Sequence, residues 1–87
     1  MKYELLRLPR AMRQLAHLRR THHPRIADIL EAIEALAINP RPPRSEKLTD
    51  RPERRIRIGN HRVLYLVDYT SQTITFVSIA DRREVYR

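Results

Sequence analysis

The sequence predicts an α+β fold: an N-terminal strand, a helical hairpin and a three-stranded antiparallel meander, with the helices packed on one face of the sheet. Three observations support this prediction. Apolar residues recur at helical spacing between Pro9 and Asn39, strand-like alternation runs from residue 54 to residue 80, and two turn signals interrupt that alternation. A chain of 87 residues has room for one hydrophobic core, so residues 1–87 are expected to form a single domain.

The first strand is expected at residues 2–8, where Tyr3 and Leu5 alternate with Glu4 at the two-residue period of a half-buried strand. Pro9 suits the first turn of a helix, because the N–H that proline lacks would have no partner there. The apolar stripe of this first helix is predicted to comprise Met12, Leu15, Ala16 and Leu18.

The second helix is predicted to begin at Pro24 and to end before Asn39-Pro40, because proline can open a helix but cannot continue one. Its apolar positions follow helical spacing: Ile26, Ile29, Leu30, Ile33, Leu36 and Ala37. Residues 41–53 contain three further prolines and are predicted to form an extended surface loop, in which Leu48 is the one clear apolar anchor.

A β-hairpin is predicted around Gly59-Asn60, because a two-residue turn with glycine first suits type II′ geometry. If Ile58 and His61 flank this turn, Arg57 lies directly opposite Arg62. The next strand should run to Asp68, residues 69–72 should form a turn, and a last strand should span residues 73–80. His61, next to the turn, is expected to be exposed.

The two faces of the meander differ in composition if Asp68 pairs with Thr73. The helix-covered face should then contain Ile56, Ile58, Val63, Tyr65, Val67, Ile74 and Phe76. The other face should gather Arg55, Arg57 and Arg62 at one end and Leu64, Leu66, Val77 and Ile79 at the other. Two helices cannot easily cover both faces, so an exposed apolar patch is expected, and a slip of one residue would rearrange it.

The arginines of the hairpin predict an anionic ligand. The chain carries 18 basic and 10 acidic residues, and only Lys2 and Lys47 are lysines. Codon usage explains part of this arginine bias, but it does not explain why Arg55, Arg57 and Arg62 share one face. Like charges directly opposite each other destabilise a sheet, and guanidinium groups match phosphate geometry, so phosphate is the expected ligand. The alternative is an ordinary solvated charged face.

The same sequence offers few signs of other chemistry. It has no cysteine and a single glycine, so disulfides, thiolate catalysis and a glycine-rich phosphate loop are excluded. His22 and His23 are adjacent and have no carboxylate at ligand spacing, so neither a metal nor another cofactor is expected. Residues 1–8 are typical of neither a signal peptide nor a membrane anchor, and the cytoplasm is the expected location.

The chain resembles the RelE/ParE superfamily of toxins from type II toxin–antitoxin systems. The resemblance rests on the order of elements and on four segments: residues 24–40, Lys47-Leu48, residues 55–65 and residues 81–87. It implies a RelE-like fold and a cognate antitoxin partner. RelE-like members cleave mRNA on the ribosome, whereas ParE-like members inhibit DNA gyrase, so fold alone leaves both functions open. The basic hairpin favours the ribosome-dependent endoribonuclease. Gyrase inhibition is the first alternative, and a plain RNA-binding or inactive module is the second.

The resemblance also implies site residues. Arg55, Arg57, Arg62, Arg82 and Tyr86 match the catalytic positions of RelE-like toxins, with Arg57 and Arg62 expected on the phosphate. Further RNA contacts are expected from Arg54, Arg83 and Lys47. Glu46, two residues before Leu48, matches a glutamate that some members use as a base.

Two features leave these assignments open. Asp81 stands where many relatives have histidine before the C-terminal arginine pair. Tyr86 could equally be a packing residue or stack on a base.

Overall fold

The computed structural model describes residues 2–81 of the chain, which form two helices and five strands. In chain order the elements are β1 (Glu4–Arg7), α1 (Pro9–Arg20), α2 (Ile26–Ile38), β2 (Ser45–Lys47), β3 (Arg54–Ile58), β4 (His61–Asp68) and β5 (Thr73–Asp81). One sheet contains all five strands, in the order β1-β5-β4-β3-β2. The predicted α+β class, helical hairpin and meander are confirmed, and the meander corresponds to β3, β4 and β5.

Strand β1 pairs in parallel with β5, which makes the sheet mixed. Tyr3 and Leu5 pack against the core, as their alternation predicts. The Tyr3 backbone N–H also donates to the Ala37 carbonyl at 2.8 Å, so the end of α2 is tied to the start of β1. The opposite positions of the strand are open to solvent, with Leu6 at 45% exposure.

Helix α1 begins at Pro9 as predicted, but its buried side is rotated relative to the predicted stripe. Ala11, Leu15 and Leu18 are buried, whereas Met12 is 55% exposed. Positions 11, 15 and 18 repeat at intervals of four and three, so they form a narrower helical face that excludes position 12.

Helix α2 begins at Ile26, so the prediction of a start at Pro24 was wrong. Pro24 and Arg25 form a turn, which the Ile26 backbone N–H closes by donating to the His23 carbonyl at 3.0 Å. The helix ends before Asn39 as predicted, and Asn39 has extended backbone geometry.

The prediction that residues 41–53 form only a loop was also wrong. Ser45–Lys47 forms the short strand β2, with Ser45 opposite Ile56 and Glu46 opposite Arg55. This pairing satisfies backbone groups on the outer edge of β3, which would otherwise be a free sheet edge. The proline-rich residues before Ser45 favour an extended chain and deliver the segment to that edge.

The β3–β4 hairpin has the predicted register, with Ile58 opposite His61 and Arg57 opposite Arg62. Gly59 has a φ of 61°, and Asn60 is not among the residues with positive φ, as a type II′ turn requires. The turn also lies close to the connection between the helices, because a Cβ atom on Gly59 would be 2.7 Å from Nε of Arg25.

The β4–β5 hairpin begins in the predicted register but does not keep it. Asp68 pairs with Thr73 and Tyr65 with Phe76, and then Leu64 pairs with Ser78, so the register shifts between Leu64 and Tyr65. Val77 is the extra residue of this β-bulge. The shift affects every later residue of β5 and changes the faces that their side chains occupy.

The bulge overturns one sequence-based assignment. Ile79 lies opposite Val63 and is 1% exposed, so its predicted place on the open face was wrong and it belongs to the core. Gln14 of α1 holds this part of β5, because its Oε1 atom accepts a hydrogen bond of 2.6 Å from the Ile79 backbone N–H.

The core lies between the helices and one face of the sheet. Its largest inaccessible side chains are Tyr65, Phe76, Ile29, Ile33, Leu36, Ile56, Ile74, Ile79 and Val63. Tyr65 is buried without loss of its polar contact, since its hydroxyl donates to the Pro40 carbonyl at 2.8 Å. Within residues 2–81, neither helix has the length and apolar character needed to cross a bilayer.

Candidate functional site

The sheet face that points away from the helices carries a group of charged residues near the β3–β4 turn. Arg57 on β3 is opposite Arg62 on β4, Arg55 is opposite Leu64, and Glu46 on β2 is opposite Arg55. Because alternate residues of a strand point to the same face, Glu46, Arg55, Arg57 and Arg62 share this surface, which we call the arginine face.

The arginines of this face differ in exposure. Arg62 lies on the central strand, is only 6% exposed, and has the small residue Ala80 as its neighbour on β5. Arg57 is exposed, and the Arg55 side chain is 13% exposed. A buried guanidinium beside an exposed one gives the site one positively charged group fixed by the sheet and another that can adjust to a ligand.

Glu46 is the acidic member of the arginine face. The Arg55 guanidinium donates a hydrogen bond to its Oε1 atom. This hydrogen bond, the charge of Arg55 and the charges of Arg57 and Arg62 hold the pKa of Glu46 below its ordinary value. Glu46 is therefore ionised at neutral pH, which allows it to accept a proton, but its lowered pKa makes it a weaker base.

The chemistry available to this face follows from its composition. A guanidinium donates hydrogen bonds and does not release its proton at physiological pH, so the arginines can bind and stabilise negative charge but cannot serve as bases. Three guanidinium groups and one carboxylate leave a positive surface, and repulsion between Arg57 and Arg62 is relieved when an anion lies between them. The geometry therefore suits a phosphate group.

Two predicted RNA contacts lie elsewhere. Arg54 and Lys47 pair with each other across β2 and β3, one residue out of phase with the arginine face, so alternation directs them to the other side of the sheet. Arg54 donates to the Ser45 hydroxyl at 2.9 Å, and Nζ of Lys47 donates to the Arg51 carbonyl at 2.8 Å. Both side chains are thus engaged locally.

The remaining predicted site residues, Arg82, Arg83 and Tyr86, lie outside the described residues. Strand β5 is described as far as Asp81, which is opposite His61 and one residue beyond the partner of Arg62.

The apolar part of the open face is smaller than the sequence predicts. Leu64 is 3% exposed and Ile79 belongs to the core, whereas Leu66 and Val77 are partly buried. Among residues 2–81, the exposed large hydrophobic side chains all lie outside β2, β3 and β4: Leu6, Leu8, Met12, Ile38 and Tyr69.

His61 is buried, with 5% exposure, so the expectation that it is exposed was wrong. Its ring contacts that of His23 edge to face, with ring centroids 4.7 Å apart. The burial of His61 could have been predicted from the hairpin register, because the partner of His61 is Ile58, a core residue.

Gln14 was also not singled out from the sequence. The hydrogen bond that its Oε1 atom accepts from the Ile79 backbone N–H has no sequence signature.

Comparison with known families gives one match that covers nearly the whole chain. Residues 5–86 match the family model described as the ParE toxin of the type II toxin–antitoxin system parDE. No curated protein matches the chain significantly.

Solved structures have the same fold at low sequence identity. The archaeal RelE–RelB complex from Pyrococcus horikoshii OT3 contains a chain 23% identical, with a TM-score of 0.77 over 97% of this chain and 99% of that one. The YoeB/ParE toxin from Agrobacterium tumefaciens is 18% identical, with a TM-score of 0.79 over 90% and 96% of the two chains. A chain of the RelBE2 toxin–antitoxin complex from Mycobacterium tuberculosis is 24% identical, with a TM-score of 0.75 over 94% and 100%.

Proposed function

The chain belongs to the ParE toxin family of type II toxin–antitoxin systems, and we propose that it acts as a ribosome-dependent endonuclease that cleaves mRNA and inhibits translation. It is the toxin of a toxin–antitoxin module. The choice of RNA as target is supported by one observation, the convergence of Glu46, Arg55, Arg57 and Arg62 on the arginine face. Guanidinium groups beside a carboxylate can bind a phosphate and accept a proton, and both are steps that RNA cleavage needs.

The proposed reaction is attack of a ribose 2′-oxygen on the adjacent phosphorus. A bond forms between these atoms, the bond to the 5′-oxygen of the next nucleotide breaks, and a 2′,3′-cyclic phosphate remains. Negative charge grows on the phosphoryl oxygens during attack, and Arg57 and Arg62 stabilise it. Because Arg62 is held by the central strand, it needs little reorganisation when this charge develops.

Proton transfer completes the proposed reaction. Glu46 is the candidate acceptor of the 2′-hydroxyl proton, because it is the member of the arginine face that can take one up. Its pair with Arg55 must open for this role, and Arg55 can then donate to the substrate. The departing 5′-oxygen takes its proton from water or from a donor supplied by the ribosome.

The proposed partners follow from charge. The net charge of +8 and the arginine face suit mRNA in the ribosome, and also an acidic antitoxin segment that covers the arginines and blocks them. Such a complex would form in the cytoplasm, where translation takes place, and its formation should weaken as salt is raised.

The test compares mRNA cleavage on translating ribosomes with supercoiling by gyrase, using the same protein preparation. We expect cleaved mRNA and unaffected supercoiling. Arg57→Ala should abolish most cleavage without unfolding the domain, since Arg57 is exposed. Arg10→Ala, an exposed arginine on α1, is the matched control and should remain active.

Gyrase inhibition is the second candidate function, because the matching family model is that of ParE toxins. Inhibited supercoiling together with intact mRNA would establish this alternative and overturn the nuclease. Cleavage that survives Arg57→Ala would instead show that the arginine face is not the site of reaction.

A further inference from the structure

A cavity of about 370 Å³ lies at the end of the sheet near the β3–β4 turn, outside the arginine face. Leu18 and Ile79 contribute apolar surface to its lining, and polar groups surround them. The polar residues are Arg13, Gln14 and His17 from α1, His23 from the connection between the helices, His61 from β4 and Asp81 from β5. We call this space the histidine cavity.

The histidine cavity combines three kinds of contact. The His23 ring is partly exposed, and a flat ring of this kind can stack on a nucleobase. The buried His61 ring touches it edge to face and supports it. Arg13 and His17 are exposed and give the rim positive or donor character, which suits a phosphate. The Asp81 carboxylate accepts hydrogen bonds, and an exocyclic amino group of a base is its natural donor.

Two features make the cavity a formed site rather than a surface depression. The His61 ring is fixed by the sheet, since the residue is 5% exposed and pairs with both Ile58 and Asp81 across the neighbouring strands. The position of His23 is also fixed, because its Nδ1 atom accepts a 3.0 Å hydrogen bond from the Arg25 backbone N–H. A ligand therefore meets rings that are already oriented, which lowers the entropic cost of binding.

We propose that the histidine cavity binds one unpaired RNA nucleotide, with the base against the His23 imidazole, the amino group on Asp81 and the phosphate at Arg13 and His17. The volume suits a mononucleotide, since small-molecule sites begin at about 300 Å³. A base with an exocyclic amino group is favoured over uracil, which has a carbonyl oxygen at the corresponding position.

The position of the cavity links it to the arginine face. His61 and Arg62 are consecutive on β4, about 3.8 Å apart between Cα atoms, and they point to opposite sides of the sheet. An RNA strand that passes around the hairpin end of the sheet can place a phosphate at Arg62 and a neighbouring nucleotide in the cavity. This positioning of the message rests on the proposed function, whereas nucleotide binding rests on the cavity itself.

The test is titration of the full chain with cytidine 5′-monophosphate and uridine 5′-monophosphate, followed by NMR shifts of the backbone amides and imidazole resonances. The two ligands differ at the base position that carries the amino group. We expect saturable shifts at Leu18, His23, His61 and Ile79, and cytidine monophosphate should bind about fivefold more tightly. Asp81→Asn should remove most of this preference.

Matched variants distinguish binding in the histidine cavity from binding elsewhere on the protein. His23→Ala should weaken binding about tenfold, the scale of losing a stacked ring, whereas His22→Ala, at an exposed neighbouring position, should not. His17→Ala is a second cavity variant at an exposed position, and it should weaken binding even if His23→Ala disturbs the fold. Arg57→Ala should bind cytidine monophosphate normally.

The following outcomes would overturn the proposal. Absence of saturable shifts would show that the cavity does not bind a nucleotide. Equal binding of the two nucleotides would show that Asp81 does not recognise the amino group of the base. Identical shifts with inorganic phosphate would show that the cavity binds only an anion. If cytidine monophosphate binds in the cavity but mRNA is not cleaved, the proposed nuclease fails and this inference stands.

Discussion

The two hairpins that share β4 are built differently, although both have alternating sequences. The β3–β4 hairpin keeps one register from its Gly59-Asn60 turn to its end, and Arg57 faces Arg62 within it. The β4–β5 hairpin changes register between Leu64 and Tyr65, which moves Ile79 from the open face into the core. The first hairpin places two arginines opposite each other on the open face, whereas the second adjusts its backbone to complete the core.

The difference shows what determines register in each hairpin. A two-residue turn with glycine at positive φ permits one pairing register of the two strands. The opposed arginines are therefore held opposite each other despite their repulsion. The longer turn at residues 69–72 does not fix the pairing of β4 and β5 residues that lie several positions away from it. There the burial of Ile79, assisted by Gln14 on α1, favours an extra residue in β5.

The largest expected effect is a loss of stability that tests whether β5 contains the bulge. Ile79→Ala should lower the free energy of unfolding by about 2–5 kcal/mol, because it empties space in the core. Val77→Ala should cost much less, since Val77 is the bulged residue and only partly buried. Chemical denaturation of both variants measures the difference. Equal losses, or a larger loss for Val77, would indicate the unbulged register.

The next effect concerns activity in the first hairpin. Arg62→Ala should reduce cleavage about 100-fold or more if Arg62 stabilises phosphoryl charge, and Arg62→Lys should recover only part of this loss. Relief of repulsion with Arg57 should offset lost packing, so the melting temperature should stay near that of the wild type. Arg62→Met, which keeps the aliphatic stem, controls for packing. A fully active Arg62→Ala variant would place the reaction elsewhere.

The turn of the first hairpin should show an intermediate effect. Gly59→Ala should destabilise the domain by about 1–2 kcal/mol, because a φ of 61° is unfavourable for a residue with a Cβ atom. The close contact with Arg25 should add little, since a flexible side chain can move away. A double-mutant cycle with Arg25→Ala measures this contribution. A large coupling energy would show that the helix connection fixes the turn.

The smallest effect concerns the pair of Glu46 with Arg55, which extends the first hairpin to β2. Since the folded protein lowers the pKa of Glu46, the pair contributes stability above the ordinary glutamate range. That contribution is lost as pH falls through the lowered pKa. The melting-temperature difference between the wild type and Glu46→Gln should therefore be small at neutral pH and shrink on acidification. A difference that is independent of pH would mean that the charge of Glu46 is not involved.

Features specified by local chemistry could be predicted from the sequence. The helical spacing of α2, the proline at the start of α1 and the Gly59-Asn60 turn each act within a few residues, and all are present in the structure. The hairpin register also gave the arrangement of Arg55, Arg57 and Arg62 on one face. The roles of these arginines stay predictions, because position on a face does not define a reaction.

Other features depend on contacts between distant residues and have no local signal. Strand β2 exists because the β3 edge is nearby, and three residues of Ser-Glu-Lys do not predict a strand by themselves. The bulge depends on packing of Ile79 beneath α1. The histidine cavity requires α1, the helix connection, the start of β4 and the end of β5 to meet, and no single segment of the sequence reveals that meeting.

The parallel pairing of β1 with β5 has a consequence for synthesis of the protein. Glu4 pairs with Thr73, so the strand translated early must wait for one of the last described strands before the sheet can close. Pairing across such a sequence separation is slow compared with formation of helices and hairpins. Until β5 leaves the ribosomal exit tunnel, α1 and α2 lack the sheet face that they cover. A nascent chain therefore completes its sheet only after nearly all of the described part has been synthesised.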